Sequence, residues 1–298
     1  MLELEYKLLE NEFMALIKRC PVPVSEELYS FLFAKSKRIR SKLIFLFAKS
    51  LELNMDNNVI KLAAAVELLH AATLIHDDVI DDAKLRRGLE TFNSKYDSKY
   101  AVLIGDLLLT MVNAELLQIN NPKIFTIFSS AMTNLCLGEL KQYSLKGEVP
   151  TFQEYIEKSK SKTSSIFIAA LNSLCILLNQ EKVCSALNNF AVNFGIAFQI
   201  RDDLSNFAFS DDLKPMMNDF QNGVYSAPVL FYLQKGKKLR LFPYAFSHNP
   251  ELKNELISLT RDMIKEYSNN AIQALRVMYD NKYKKDIENI CDELWRIE

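Results

Sequence analysis

Two stretches of this 298-residue chain place carboxylates where they could hold a metal ion. The first is His76-Asp77-Asp78-Val79-Ile80-Asp81-Asp82. In a helix Asp77 and Asp81 stand at i and i+4, on one face, where like charges repel. A divalent cation removes that repulsion. The cluster follows the apolar run Leu68–Ile75, so it lies at the lip of a buried region, where a free acidic turn is costly. Mg²⁺ takes oxygen ligands, typically one or two carboxylates completed by phosphate and water. The pair therefore suits a metal-bridged phosphate, and the competing reading is a solvated acidic helix end. The second stretch is Gln199-Ile200-Arg201-Asp202-Asp203-Leu204-Ser205-Asn206, with Asn206 rather than Asp at i+4. Asn ligates through its carbonyl oxygen but adds no charge, so a metal here is held less tightly. A helix N-terminus carrying favourable acids explains this stretch equally well.

Cations recur where a diphosphate needs them. Lys37 and Arg40 are three apart, Arg86-Arg87 follow the first acidic cluster, and Lys162-Thr163 lead into the apolar Ile166 and Phe167. Arginine forks match phosphate oxygens, and lysine supplies a point charge. A lone basic pair is more often a solvated face, and Arg86-Arg87 also suits ion pairing with the neighbouring aspartates. His70 lies seven residues before Asp77, on the same helix face, and either fills the core or donates to a phosphate. Glu67 and His70 have the Glu-x-x-His spacing of di-iron bundles, but neither His76 nor His248 has Glu three residues before it, so the required second pair is missing.

The elements that position these residues read as helices. Glycine and proline number only seven and eight, and helical periodicity dominates, as in Leu62, Val66, Leu69 and Thr73 around Ala63–Ala65. Breakers fall near Pro21 and Pro23, Asn120–Pro122, Gly147–Pro150, Asp211–Pro215 and Pro243–Pro250. They leave roughly ten to twelve helices of ordinary length. The expectation is an all-α chain forming one domain over residues 1–298. Apolar residues at 49% support a sizeable core, and charged residues at 24% are ordinary for a globular protein. A net charge of −1 gives no global field for nucleic acid, which is not expected as a partner. The five cysteines show no CxxC spacing and are expected as small buried residues of a reducing compartment. The N-terminus lacks a basic end followed by an apolar run, and polar breaks interrupt the best apolar stretches, at His70 and Thr73, Gly105-Asp106, and Asn172-Ser173. A cytoplasmic location is expected, with at most peripheral membrane contact through a lipid product.

Together these residues resemble the trans-isoprenyl diphosphate (polyprenyl) synthases, most closely the long-chain, octaprenyl-type members. The resemblance runs in order from about Lys37 to Pro228. The family's first Asp-rich motif is similar to Leu69-His70 through Arg86-Arg87-Gly88, including Asp77-Asp78-x-x-Asp81. Its Gly-Lys-Arg-x-Arg-Pro segment resembles Ser36-Lys37-Arg38-Ile39-Arg40-Ser41, with Gly and Pro lost. Its Gly-Asp, Gly-Glu-x-x-Gln and Lys-Thr resemble Gly105-Asp106, Gly138-Glu139-Leu140-Lys141-Gln142 and Lys162-Thr163. Its Gly-x-x-Phe-Gln-x-x-Asp-Asp resembles Gly195 through Asp203.

The resemblance implies an isoprenoid synthase-type helix bundle with a central active-site cavity, a homodimer, and Mg²⁺ bound by Asp77, Asp81 and Asp202. It implies that Lys37, Arg40, His70 and Arg87 hold isopentenyl diphosphate. It places the allylic diphosphate on Arg86, Lys162, Thr163, Gln199 and Lys214. Three departures lie in the second half: Asn206 for the last Asp of the second motif, Met217 for a Gly before Asp219, and Val224 for a Lys that reaches the leaving diphosphate. They leave room for a weakly active or partner-dependent subunit. A terpene cyclase also carries an Asp-rich motif, but the Asn-Ser-Glu type second motif usual there is not reproduced by Asp202–Asn206.

Product length follows from shape. Ala72 and Thr73, one turn above Asp77, are small, and no aromatic ring blocks the tail there. In the family this pattern resembles the long-chain synthases, and a short-chain synthase making C15 or C20 product is the alternative. Phe125, Phe128, Met132 and Leu135 have three/four spacing and serve either as tunnel wall or as ordinary core. Ala72→Phe is expected to shorten the product of the folded enzyme by several isoprene units. Reversed-phase chromatography of radiolabelled product checks this, and an unchanged distribution removes Ala72 from the tail path.

Overall fold

A computed structural model describes residues 2–34, 36–52, 56–86, 88–208, 220 and 222–296, without the side chains at 181 and 206–208. The chain is nearly all helix, as expected, and its contacts cluster into two compact units. The first comprises Met1–Phe128 with Ala169–Glu181, and the second Ser129–Ile168 with Lys182–Glu298.

The first unit is built around α4 (Asn57–Ile80), which packs against α1 (Glu3–Ile17), α3 (Ile39–Ser50) and α6 (Ser98–Ile119). Asp56 starts α4 by accepting a hydrogen bond from the Val59 amide at 3.0 Å, and Asp97 starts α6 by accepting from Tyr100 at 2.7 Å. Residues Leu62–Val66 of α4 are wholly buried, because the helix is apolar on nearly every side and has neighbours on each. α2 (Val24–Leu32) follows the Pro21–Pro23 break, and α6 ends at Asn120 in the left-handed region. α7 (Pro122–Ser144) then begins on its proline, as the breaker pattern predicts. Between α4 and α6 lies a feature the periodicity misses. It is a two-residue hairpin, β1 (Leu85–Arg86) with β2 (Leu89–Glu90), followed by the single turn α5 (Phe92–Lys95).

In the second unit, α8 (Phe152–Ser159) opens with a capping box between Thr151 and Glu154. It passes through a π-helical turn, Lys160–Ser164, into α9 (Ser165–Leu178), whose residues from Ala169 on belong to the first unit. α10 (Glu181–Ala208) carries the second acidic stretch. α11 (Ala227–Gln234), α12 (Phe242–His248), α13 (Pro250–Ala274) and α14 (Lys282–Trp295) complete the chain. Phe194 stacks on Phe190 at 5.4 Å and meets Phe167 edge-on at 5.1 Å, forming an aromatic core behind α10.

Two expectations change. Four helical spans are, by length and composition, long and apolar enough to cross a membrane: Asn57–Ile80, Ser98–Ile119, Phe152–Leu178 and Lys182–Ser205. The polar breaks do not interrupt them, because isolated His, Thr and Asn residues sit comfortably inside continuous helices. The apolar window of Asn57–Ile80 is 78% buried inside the protein, so much of its surface is already used by the core. The cysteines also differ from expectation: Cys136 is exposed, and Cys175 and Cys184 are disulfide-bonded.

Buried ions tie α1 to its neighbours. Lys49 on α3 pairs with Glu5 at 2.6 Å, and Lys61 on α4 pairs with Glu12 at 2.8 Å. Lys61 also lies 3.5 Å from the fully buried Glu115 of α6. One lysine thus serves two carboxylates. Burial and the negative charge of Glu12 push the Glu115 pKa up to about 7, against the pull of Lys61. The folded state then holds this proton more tightly than the unfolded chain does. The stabilisation is complete below the ordinary value of 4.5 and is lost as pH rises through about 7. Thermal melts should show stability falling by on the order of 2 kcal/mol between moderately acidic and mildly alkaline pH from this group. Glu115→Gln should flatten that slope, and a variant with the wild-type slope would exclude Glu115 as its source.

Candidate active site

The first acidic cluster lies at the carboxyl end of α4. The Asp81 amide donates to the Asp77 carbonyl at 2.8 Å, so the helical turn continues through Asp81 and keeps the two residues on one face, as the spacing requires. Asp77 is half-buried and Asp81 is exposed. The negative end of the helix dipole adds to their mutual repulsion. Asp78 faces inward and is 3% exposed. Arg86 on β1 forks onto it, with Nε 2.8 and 2.9 Å from the two carboxylate oxygens and Nη2 2.7 Å from Oδ1. Thus Arg86, expected on a diphosphate, is held by Asp78.

The turn after α4 is fastened by residues the sequence reading missed. Asn93 donates to the carbonyls of Asp78 and Ala83 at 3.2 and 3.0 Å, and Thr91 donates to Ala83 at 2.6 Å. Their sequence signal is slight, since a Thr-x-Asn ahead of a helix reads as an ordinary start. Gly105 on α6 has a packing reason: a Cβ there would meet the His76 ring at 2.2 Å. The ring lies 3.5 Å from Asp106.

A cavity of about 460 Å³ in the first unit is lined by Arg38, Glu67, His70, Asp78, Arg86 and Lys95, among others. His70 is thus one of the residues that line the cavity. Lys37 is exposed in the segment before α3, and Arg40 is buried in its first turn; neither lines this cavity. Arg38 lines it, tied to Glu10 at 3.0 Å. Lys95, which sequence reasoning passed over, bonds Glu27 at 2.6 Å and holds that carboxyl below its ordinary range. Arg87 lies outside the described residues. Ala72 is fully buried, and Thr73 donates to the His70 carbonyl at 2.8 Å. On α7, Phe128 is buried and Met132 half-buried, but Phe125 is 42% exposed, so the four-residue stripe does not form one buried surface.

In the second unit, Lys162 and Thr163 lie in the π turn, a local widening often found at functional sites. Lys162 pairs with Glu139 of α7, and Thr163 donates to the Gln199 side chain on α10. Gln199 donates to Asp203 at 2.8 Å, as does the buried Tyr155 at 2.5 Å. Burial raises the Asp203 pKa against these bonds and against the nearby Lys158 and Lys162 charges. Asp202, its neighbour, is exposed. A cavity of about 300 Å³ is lined by Gln142, Tyr155, Lys158, Ser161, Val224 and Tyr225, among others. Lys214, Met217, Asp219 and the Asn206 side chain lie outside the described residues.

Among the described residues, no three His, Cys, Asp or Glu side chains converge as a ready-made metal cage. Asp77 and Asp81 fit a hard cation completed by non-protein oxygens, as Mg²⁺ prefers.

The polyprenyl synthetase family profile matches residues 22–262. The chain belongs to the polyprenyl synthetase family. Decaprenyl-diphosphate synthase of Dictyostelium discoideum is 35% identical over 266 residues, which are 85% of this chain and 58% of that protein. The chain thus spans less than two thirds of that relative. Heptaprenyl diphosphate synthase component 2 of Bacillus subtilis (strain 168) is 31% identical over 258 residues, 85% of this chain and 70% of that protein. The structure of octaprenyl pyrophosphate synthase from Helicobacter pylori superposes with a TM-score of 0.83 at 28% identity, covering 100% of both chains. The fold is accordingly the isoprenyl synthase helical bundle.

Two glycines of this chain should respond differently to alanine. A Cβ at Gly195 would lie 2.5 Å from the Ser164 Cα, which is backbone of the π turn. Gly195→Ala is expected to cost about 1–3 kcal/mol in urea denaturation and to lower activity. A Cβ at Gly138 would make ordinary contacts, with the Ser161 Cβ at 3.4 Å and the Lys162 backbone nitrogen at 4.0 Å. Gly138→Ala should be neutral or gain up to about 1 kcal/mol in helix propensity. Equal effects at the two sites would contradict the close packing of α10 on the π turn.

Proposed function

We propose that this chain is a Mg²⁺-dependent trans-polyprenyl diphosphate synthase, condensing isopentenyl diphosphate head to tail with an allylic diphosphate. The product is a long-chain all-trans polyprenyl diphosphate, suited as a quinone side-chain precursor. The observation that carries this reading is the Asp77/Asp81 pair on one face at the negative end of α4, beside the His70-lined cavity. The long-chain names of the relatives support the product class.

Asp77 and Asp81, helped by Asp202, are the residues to hold Mg²⁺. Held there, Mg²⁺ would supply positive charge to the departing diphosphate. Lys162 supplies a positive charge to the allylic diphosphate once released from Glu139, and Thr163 and Gln199 orient it. His70 holds isopentenyl diphosphate from the cavity that it lines, and the roles of Lys37 and Arg40 rest on the motif resemblance alone. The allylic C–O bond breaks, and its electron pair leaves with the diphosphate. The isopentenyl double bond then attacks the allylic carbon, and the resulting cation loses a proton to the released diphosphate. No protein nucleophile is required.

A homodimer fits the outer stripe of α6, where Leu103, Asp106, Thr110, Asn113 and Leu117 are exposed and the two leucines are 66% and 69% accessible. A second reading, a subunit that needs a different partner, is favoured by Val224, an apolar residue in the cavity of the second unit. The designation "component 2" of the Bacillus relative is in keeping with it.

Purified chain with Mg²⁺, labelled isopentenyl diphosphate and an allylic diphosphate should form extractable polyprenyl diphosphate. Asp77→Ala should lower kcat by about 10³-fold or more. Product from the variant at the wild-type rate would exclude the first cluster from the chemistry. Product formed only after a second protein is added would favour the partner-dependent reading.

A further inference from the structure

The second unit contains a line of hydrogen bonds that extends past the residues assigned to substrate. The Tyr155 hydroxyl donates to Asp203 Oδ2 at 2.5 Å, Gln199 Nε2 donates to Asp203 Oδ1 at 2.8 Å, and the Thr163 hydroxyl donates to Gln199 Oε1. Each link has a fixed direction. A carboxylate only accepts, so both of its neighbours must donate. Gln199 therefore turns its NH₂ group toward Asp203 and its carbonyl toward Thr163. The opposite orientation would set an amide oxygen against a carboxylate oxygen. Thr163 spends its single hydrogen on Gln199. What remains for a ligand is one N–H of Gln199 and the free lone pairs of the Thr163 oxygen.

The line is anchored at its far end. Tyr155 is 1% exposed, on α8 directly after the Thr151–Glu154 capping box. Burial and the Asp203 carboxylate push its pKa far above the ordinary value, so it remains a donor throughout the working range of pH. At the near end, Ser164 donates to the Val192 carbonyl at 3.0 Å, and the absence of a Cβ at Gly195 lets α10 approach the π turn that carries Thr163.

We propose that Tyr155 and Asp203 are positioning residues for prenyl transfer, fixing the orientation of the Gln199 amide and the Thr163 hydroxyl toward the allylic diphosphate. This rests on the functional reading above. Asp203 then acts as a structural acceptor, whereas its neighbour Asp202 faces outward as the metal-site candidate. Tyr155 acts through Gln199 and has no contact of its own with substrate. A tyrosine that merely satisfied its buried hydroxyl would be indifferent to what stands at position 199.

A double-mutant cycle separates the two roles. Tyr155→Phe should lower kcat by about 10- to 100-fold, the loss expected for one hydrogen bond to a charged group. The KM for isopentenyl diphosphate should stay within about twofold, because its proposed contact His70 takes no part in this hydrogen-bond line. In a Gln199→Ala background the same change should cost less than about twofold. Equal losses in both backgrounds, or a wild-type kcat for Tyr155→Phe, would overturn the proposal. If Tyr155→Phe does not give the wild-type circular dichroism and melt, Asp203→Asn carries the cycle under the same criteria, since its amide offers only one accepting oxygen. Calorimetric binding of inorganic diphosphate with Mg²⁺ reads the same cycle without turnover. About tenfold weaker binding in Tyr155→Phe, abolished by Gln199→Ala, supports positioning, and unchanged binding counts against it. A wild-type chain that makes no product therefore overturns the proposed function, while the binding cycle still decides the positioning role.

Discussion

Carboxylates gathered at the negative end of a buried helix constrain the whole of the first unit. α4 is apolar on almost every side and ends in Asp77, Asp78 and Asp81, so charge accumulates where the backbone dipole already disfavours it. Asp78 is too buried to be left to solvent, and the Arg86 fork satisfies it. That requirement accounts for the hairpin. The turn at Asp81–Ala83 brings β1 back over the helix end, Thr91 and Asn93 fasten that turn through Ala83, and the chain reverses between Arg86 and Leu89. Gly88 serves the reversal with a φ of +79°, which residues with a side chain rarely adopt.

The same division of labour recurs in the second unit with different chemistry. Consecutive residues of a helix point about 100° apart, so when one aspartate of a pair turns inward the other turns out. Asp78 turns in and Asp77 is half-buried; Asp203 is half-buried in its hydrogen-bond network and Asp202 is exposed. The inner acid at position 78 is met by a cation, whereas the one at 203 is met by Tyr155 and Gln199. An adjacent Asp pair thus does two jobs, one fixing the local frame and one presenting charge outward. The second pair therefore has a structural role whatever stands at position 206.

Much of this was legible in the sequence. The i, i+4 relation of Asp77 and Asp81 needs only helical geometry, and the breaks at Pro21–Pro23 and Asn120–Pro122 follow from missing amide donors and fixed φ. The motif resemblance ordered the remaining site residues along the chain. What stayed hidden depends on partners far away in sequence. Nothing near Tyr155 reveals an acceptor 48 residues later, and nothing near Lys162 reveals Glu139 or the widened turn beneath it. The hairpin escaped because two-residue strands carry no period. Arg86 left both readings open because an arginine beside an acidic cluster has the same sequence appearance whether it serves a substrate or a buried aspartate. Phe125 misled for a related reason: three/four spacing identifies a helix face but not which side of the helix is covered.

The two pre-formed ion pairs also differ in how readily they exchange partners. Lys162 and Glu139 are 30% and 22% exposed, joined through a flexible ammonium, and water replaces much of whatever attraction is lost when they separate. Arg86 and Asp78 are 31% and 5% exposed and share a fork, so separating them would strand a buried carboxylate. The diphosphate of the proposed function would carry more negative charge than a carboxylate. Within each unit it would win a cation most easily where desolvation is least and the cation is most mobile, as at Lys162. Arg86 keeps Asp78 and offers an anion only the guanidinium hydrogens that the fork leaves over. Its positive charge still lies beside the acidic cluster, where it lowers the mutual repulsion of Asp77 and Asp81.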